Sequence, residues 1–230
     1  MLWDVDHTLI ENGGMSKATY AKAFTSIAGR EPEFPAETDG RTDPQIMSDM
    51  LERNGFPVTP DVRDRIPAEL EAALESNIPK MRERGCALPG SHEVLELASK
   101  VDGLVQSALT GNIIANAKLK LAAFSLDGPI DWEIGGFGSD SAVRSELVGV
   151  ARSRVEEKFG TLLPLSSIVL VGDTLRDIEA GVDSGARVIG VATGKVSADD
   201  LLKAGADRVF ESMEDAASVI AAVRDLVGLG

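Results

Sequence analysis

Two kinds of patterning divide the chain. From about residue 89 onward, short apolar runs alternate with amphipathic stretches. Residues 104–109 read as a strand closed by Thr110-Gly111-Asn112, and residues 113–124 carry helical spacing. A helix capped by Asp140 is expected to run to about Phe159. Residues 167–171 (SIVLV) form a buried strand followed by a helix through about Asp183, and residues 186–191 (ARVIGV) form another such strand. A helix over 197–204, a short strand over 208–210 and a closing helix over 214–227 complete the series. Apolar, β-branched runs that each feed a helix specify a parallel sheet covered on both faces.

The first strand is expected over residues 2–5, ahead of a long stretch with no strand pattern. That stretch reads as helices over 15–28, 43–54 and 60–84. Asp43-Pro44 is a start signal, an Asp cap with Pro at the first helical position. Ile46, Met47, Met50 and Leu51 share one helix face and belong to a core. Asn12-Gly13-Gly14 and Leu88-Pro89-Gly90 flank the stretch, so it reads as a helical insert on two connectors. The predicted class is α/β: a Rossmann-like parallel sheet flanked by helices, over residues 1–11 and 89–230, with a helical insert over 12–88.

The length of 230 residues suits one such domain with an inserted lobe, and gives a core that needs no disulfide or metal staple. Lys and Arg number 23 against 37 Asp and Glu, a net charge of −14. Nucleic acid and anionic membranes are bound through Lys/Arg patches, so neither is expected as a partner. An anionic substrate would need a local cationic site to overcome the same field. A single cysteine, Cys86, excludes a disulfide framework and a multi-cysteine zinc site; it reads as a small, partly buried hydrophobe. The N-terminus carries acid where a secretory peptide carries Lys or Arg. Uncharged runs such as 159–172 are shorter than the ~18 residues of a membrane span. A soluble, cytoplasmic monomer or homodimer is the expectation.

Open parallel sheets bind ligands outside the carboxyl ends of their strands. Those positions hold Asp4, Asp6 and Thr8; Thr110, Gly111 and Asn112; Asp173 and Asp177; Thr193 and Gly194. Asp4 and Asp6 share one face of an extended strand, about 6.6 Å apart. Two carboxylates that close repel unless a cation lies between them, and hard oxygen ligands at a strand end suit Mg²⁺. Asp177, four residues beyond Asp173, fits either a helix-dipole partner or a share in that metal site. Thr110-Gly111-Asn112 supplies a hydroxyl, a close backbone approach and a helix start, which suits phosphate oxygens and equally an Asn cap.

Asp4-Val5-Asp6-His7-Thr8, Leu109-Thr110-Gly111-Asn112 and Gly172-Asp173-Thr174-Leu175-Arg176-Asp177 resemble, in order and spacing, the motifs of the haloacid dehalogenase (HAD) superfamily. The insert after the first motif resembles the cap of its phosphoglycolate-phosphatase-like branch. The resemblance implies a Mg²⁺-dependent phosphatase of small phosphorylated metabolites that works through an aspartyl-phosphate. Asp4 would be the nucleophile and Asp6 the general acid/base. Mg²⁺ would be held by Asp4, the Asp6 carbonyl, Asp173 and Asp177. Thr110, with the amide of Gly111, would hold the phosphoryl oxygens, with Thr8 and Asn112 alongside them. The family also places a Lys or Arg at the start of the helix before the Gly-Asp strand, which selects Arg144 here over Lys118 and Lys120. Alternatives within the superfamily are a phosphomutase or a metal-free dehalogenase, which would lack Asp6. Outside it stands a non-catalytic, receiver-like phosphate module.

His7 replaces the glycine usual after the second Asp, and so either contacts substrate or is a turn residue. The family's first strand is usually longer, so either this one is short or the chain begins downstream of the natural start. His92 reads as structural. Asp39-Gly40-Arg41-Thr42-Asp43 resembles a specificity loop in which Arg41 pairs with a substrate carboxylate or second phosphate, against an ordinary helix entry. Gly190 to Lys195 departs from a P-loop in both spacing and the residue after Lys, and no G-x-G-x-x-G occurs, so nucleotide sites have no support.

Overall fold

The strand that begins the chain lies in the middle of the sheet. The structure is a computed structural model and describes residues 1–38 and 41–229. In chain order, β1 (Leu2–Trp3) and β2 (Ile10–Glu11) precede α1 (Met15–Ala28), α2 (Asp43–Arg53) and α3 (Pro60–Arg84). Next come β3 (Cys86–Ala87), α4 (Ser91–Ser99), β4 (Ser107–Thr110), α5 (Ile114–Ala123), β5 (Gly136–Phe137) and α6 (Arg144–Phe159). β6 (Val169–Gly172), α7 (Leu175–Ser184), β7 (Arg187–Val191), α8 (Ala198–Lys203), β8 (Arg208–Phe210) and α9 (Ala216–Val227) follow. The sheet order is β5-β4-β1-β6-β7-β8, and every pairing is parallel. Connections leave β1 toward both edges, so the crevice at its carboxyl end is flanked by the ends of β4 and β6.

Alternation along the strands splits the core into two faces. Trp3, Val169 and Val171 pack with α4 and α9 residues such as Val94, Leu95, Val219 and Val223. Leu2 and Leu170 pack on the other face against Leu147, Val148 and Ala151 of α6 and Ala180 of α7. Asp4 continues the Leu2 side of the chain, which is the side from which α6 and α7 reach the crevice. The buried Trp3 indole donates to Gln106 Oε1 at 3.0 Å, and Gln106 donates on to the Leu95 carbonyl at 2.9 Å.

That use of Gln106 corrects one predicted boundary: β4 begins at Ser107, and the residues from 104 lead into it. A second correction concerns Asp140, which does not cap α6. Its carboxylate accepts from the Phe137 amide at 2.9 Å and pairs with Arg154, and the helix starts at Arg144. A third concerns α2, whose cap is Thr42; Asp43 is the first helical residue and Pro44 follows it.

α1, α2 and α3 bury Phe24, Met47, Met50, Leu51, Ile66 and Leu70 in a cluster of their own, which also takes Ile113 from the start of α5. The two crossings between this lobe and the sheet are β2 and β3, an antiparallel pair with Ile10 opposite Ala87 and Glu11 opposite Cys86. At two residues each they are too short to leave a periodic signal. Cys86 is exposed there, against the expected partial burial. No helix among the described residues is long and apolar enough to cross a membrane.

Candidate active site

Asp4 leaves β1 with its amide donating to the Val171 carbonyl at 2.8 Å, which ties it to the register of β6. Asp173 follows β6 directly, and Asp177 stands in the first turn of α7. Thr174 caps α7, and its amide and hydroxyl donate to Asp177 Oδ2 at 3.0 and 2.6 Å. The other oxygen, Oδ1, faces the crevice. Asp4, Asp173 and Asp177 are all buried and offer oxygens within 4.8 Å of one another. Arg144, the first residue of α6, places Nη2 2.7 Å from Asp4 Oδ1 and 2.5 Å from Asp177 Oδ1.

Three acids thus face one guanidinium. Burial pushes the Asp4 carboxyl up to about 6; Asp177 and Asp6 add to this and Arg144 opposes it. Burial, with Asp4 and Asp177 beside it, pushes Asp173 up to about 8, against the Thr8 hydrogen bond and Arg144. Oxygen donors gathered from two distant chain segments and short of positive charge fit a hard divalent cation. Gly194 makes room for this cluster, because a Cβ there would stand 1.9 Å from Asp173 Oδ2. Gly172 does the same for Asp177, whose Cγ would lie 2.3 Å from a Cβ.

Asp6 does not join the cluster through its carboxylate, against the strand face it is expected to share with Asp4; the family resemblance gives the metal only the Asp6 carbonyl. Its oxygens accept from Asn12 Nδ2 at 2.8 Å, Asn112 Nδ2 at 2.9 Å and Lys120 Nζ at 2.6 Å. Burial alone would raise Asp6, but Lys120 and these hydrogen bonds outweigh it and hold the group below its ordinary range. The cation between Asp6 and its surroundings is therefore a lysine. Thr8 is fully buried and its hydroxyl donates to Asp173 Oδ1 at 3.1 Å, so it braces a carboxylate instead of lining the opening. Thr110 Oγ1 accepts from Asn112 Nδ2 at 2.8 Å, which fixes the loop after β4 beside Asp6.

A family model described as HAD-hydrolase-like matches residues 150–216. A hydrolase from Pseudomonas syringae aligns over 96% of this chain and 97% of its own, with 22% identity and a TM-score of 0.67. A HAD hydrolase of family IA, variant 3, from Entamoeba histolytica aligns over 99% and 98%, with 16% identity and a TM-score of 0.70. CbbY from Rhodobacter sphaeroides, solved in complex with phosphate, aligns over 93% and 94%, with 16% identity and a TM-score of 0.69. The family model covers the part of the chain from α6 to the start of α9, and the solved structures share the fold over nearly its whole length. No curated protein matches it in sequence.

The remaining candidates distribute around this crevice as follows. Lys118 lies over the Trp132 ring, 5.9 Å from its centroid, and Lys120 serves Asp6, so Arg144 is the cation beside Asp4. His7 takes a left-handed backbone, φ 61°, and its ring binds Glu11 at 2.8 Å; its carbonyl accepts from Thr193. The Gly111 carbonyl accepts from the Asp43 amide at 2.7 Å, joining the loop after β4 to the start of α2. Arg41 reaches Asp49 at 3.5 Å, while Asp39 and Gly40 of the same loop lie outside the described residues. His92 is exposed on α4. Sequence reasoning missed Asn12 and the bond between Lys120 and Asp6. Asn112, Asn116 and Lys120 recur at intervals of four, one face of a helix, and that signal was available.

Proposed function

We propose that this chain is a HAD-like hydrolase, a Mg²⁺-dependent phosphatase of small phosphomonoesters acting through an aspartyl-phosphate on Asp4. One observation carries the reading. Three buried carboxylates and Arg144 surround one point at the carboxyl end of β1, with a separately held carboxylate, Asp6, two residues from Asp4. Asp4, Asp173 and Asp177 would hold the metal, with the Asp6 carbonyl completing the set. Bound there, Mg²⁺ would neutralise phosphoryl charge and keep Asp4 ionised.

The chain's own groups account for the rest. An Asp4 oxygen attacks phosphorus, and the bond from phosphorus to the ester oxygen breaks. Asp6 gives a proton to that leaving oxygen, then takes one from the water that attacks the aspartyl-phosphate, and the bond from phosphorus to Asp4 breaks. Asp6 rests ionised, ready for the base half of the cycle; the acid half needs the Lys120 contact to loosen as an ester oxygen arrives. Arg144, the Thr110 hydroxyl and the amides of the loop after β4 would receive the phosphoryl oxygens. The lobe over residues 12–88 would act as a cap over a core of 1–11 and 89–230, closing the site against water. A structure of the same fold, CbbY from Rhodobacter sphaeroides, was solved in complex with phosphate, which supports a phosphorylated ligand for this chain.

Phosphate release from an aryl phosphate, with Mg²⁺ and after chelation, tests the reading. Turnover that needs the metal and vanishes in Asp4→Asn is expected; wild-type-like turnover in Asp4→Asn would refute the nucleophile.

A further inference from the structure

Lys120 separates Asp6 from a small cavity between α1, α2 and α5. The cavity holds about 10 Å³, space for one water or one hydroxyl, and is lined by Ser16, Tyr20, Asp43, Asn112, Asn116 and Lys120 among others. Its donors are largely spent. Lys120 gives hydrogens to Asp6, Asn112 and Ser16, and the Asn112 amide gives its two to Asp6 and Thr110. Tyr20 gives its hydroxyl hydrogen to Asp43 Oδ1 at 2.5 Å.

The acceptors are in surplus. Asn116 is 3% exposed, and its Oδ1 has no hydrogen-bond partner. Asp43, equally buried, is approached only by donors: Tyr20, the Ile113 amide at 2.9 Å and Asn116 Nδ2 at 3.4 Å. Three donors and no acceptor are the surroundings of a carboxylate. The single lysine in the wall is already paired with Asp6, so the uncompensated charge on the cavity is negative.

We infer that this cavity is a leaving-group subsite that accepts a hydrogen-bond donor, a hydroxyl of a small polyol monophosphate, and rejects a carboxylate. The inference rests on the phosphatase reading and narrows its substrate class. A hydroxyl fits the volume, satisfies Asn116 Oδ1 and lies against the Asp43 charge favourably. A carboxylate brings only acceptors and a second negative charge to the same place. Arg41, the residue suited to an acidic substrate, stands half-buried just before α2, and its guanidinium is directed at Asp49.

The test uses two esters that differ only at the far carbon, 2-hydroxyethyl phosphate and 2-phosphoglycolate. Their kcat/KM values are measured with Mg²⁺ at pH 8, and their affinities for the Asp4→Asn variant by calorimetry. The hydroxyl ester should be preferred at least about tenfold in both. Asn116→Leu should bring the ratio near one by weakening the hydroxyl ester, and Asp43→Asn by strengthening phosphoglycolate. Should Asp43→Asn fail to fold, Asn116→Leu suffices, because it gives up only the long Nδ2 contact to Asp43 while its Oδ1 has no bond to lose. Equal binding of the two esters, a preference for phosphoglycolate, or binding of neither would overturn the subsite. A hydroxyl preference in calorimetry without turnover of any ester would leave the subsite standing and remove the phosphatase reading.

Discussion

Arg144 and Asp4 are 140 positions apart in the chain, yet Arg144 Nη2 lies 2.7 Å from Asp4 Oδ1. The same nitrogen contacts Asp177, while the Arg144 Nε is buried with no partner. A guanidinium in this position does two jobs: it offsets part of the carboxylate repulsion and keeps a donor free for an arriving oxyanion. Arg144→Met should therefore lower kcat by about 10²–10³-fold, the usual loss on removing one donor to a transferring group. Arg144→Lys should recover part of it, since a single ammonium cannot span both acids and the oxyanion. Steady-state kinetics on an aryl phosphate reads both.

At the proposed metal site, protons and metal would compete for the same oxygens. Asp4 at about 6 and Asp173 at about 8 both stand above the ordinary 3.8. A raised folded-state value means that these groups favour the fold at low pH, and that this contribution is lost as pH rises through about 6 and then about 8. Metal-free protein should thus lose stability between pH 4 and 8 from these two groups. Mg²⁺ requires them ionised, so its apparent affinity should fall about tenfold per pH unit below 8, and more steeply below 6. The rise in Tm on adding Mg²⁺ should accordingly be larger at pH 8 than at pH 5.5; a rise independent of pH would remove Asp173 from the metal site.

The parallel sheet and its strand-end acids were legible because apolar runs and the positions just after them are local features. Asp4, Asp173, Asp177, Thr110 and Arg144 all come to one crevice, and each was named from spacing or from the family resemblance. What stayed hidden depends on partners far along the chain. Nothing local shows that Asp6 turns to Lys120, that Asp43 leaves its cap position for Tyr20 and Ile113, or that Thr8 faces Asp173. β2, β3 and β5 were missed because two residues carry no period. Gly194 was named as a strand-end position and inside a rejected phosphate-loop pattern, but nothing local showed that it leaves space for Asp173.

That space is testable. A Cβ on Gly194 would meet Asp173 Oδ2 at 1.9 Å, so Gly194→Ala must displace either the loop after β7 or the carboxylate. The substitution should weaken Mg²⁺ binding about 10–100-fold, the range for disturbing the support of a metal ligand. It should leave the metal-free Tm less affected, since Asp173 gains freedom to reach water. Calorimetric titration of Mg²⁺ separates these effects from simple unfolding.

Thr8→Val removes the hydroxyl that donates to Asp173 Oδ1 at 3.1 Å while keeping the shape of a fully buried side chain. Above about pH 8, where the metal-free protein carries Asp173 ionised, one oxygen is then left without its donor, which costs about 1–3 kcal/mol. The lost bond favoured the charged form, so the Asp173 carboxyl should move further up from about 8. Metal binding must then displace a more tightly held proton, and the loss of Mg²⁺ affinity should be greater at pH 7 than at pH 9. With Mg²⁺ saturating, the cation takes up the exposed oxygen and most of the lost stability should return. An equal fall in Tm with and without Mg²⁺ would show that Thr8 matters for packing alone.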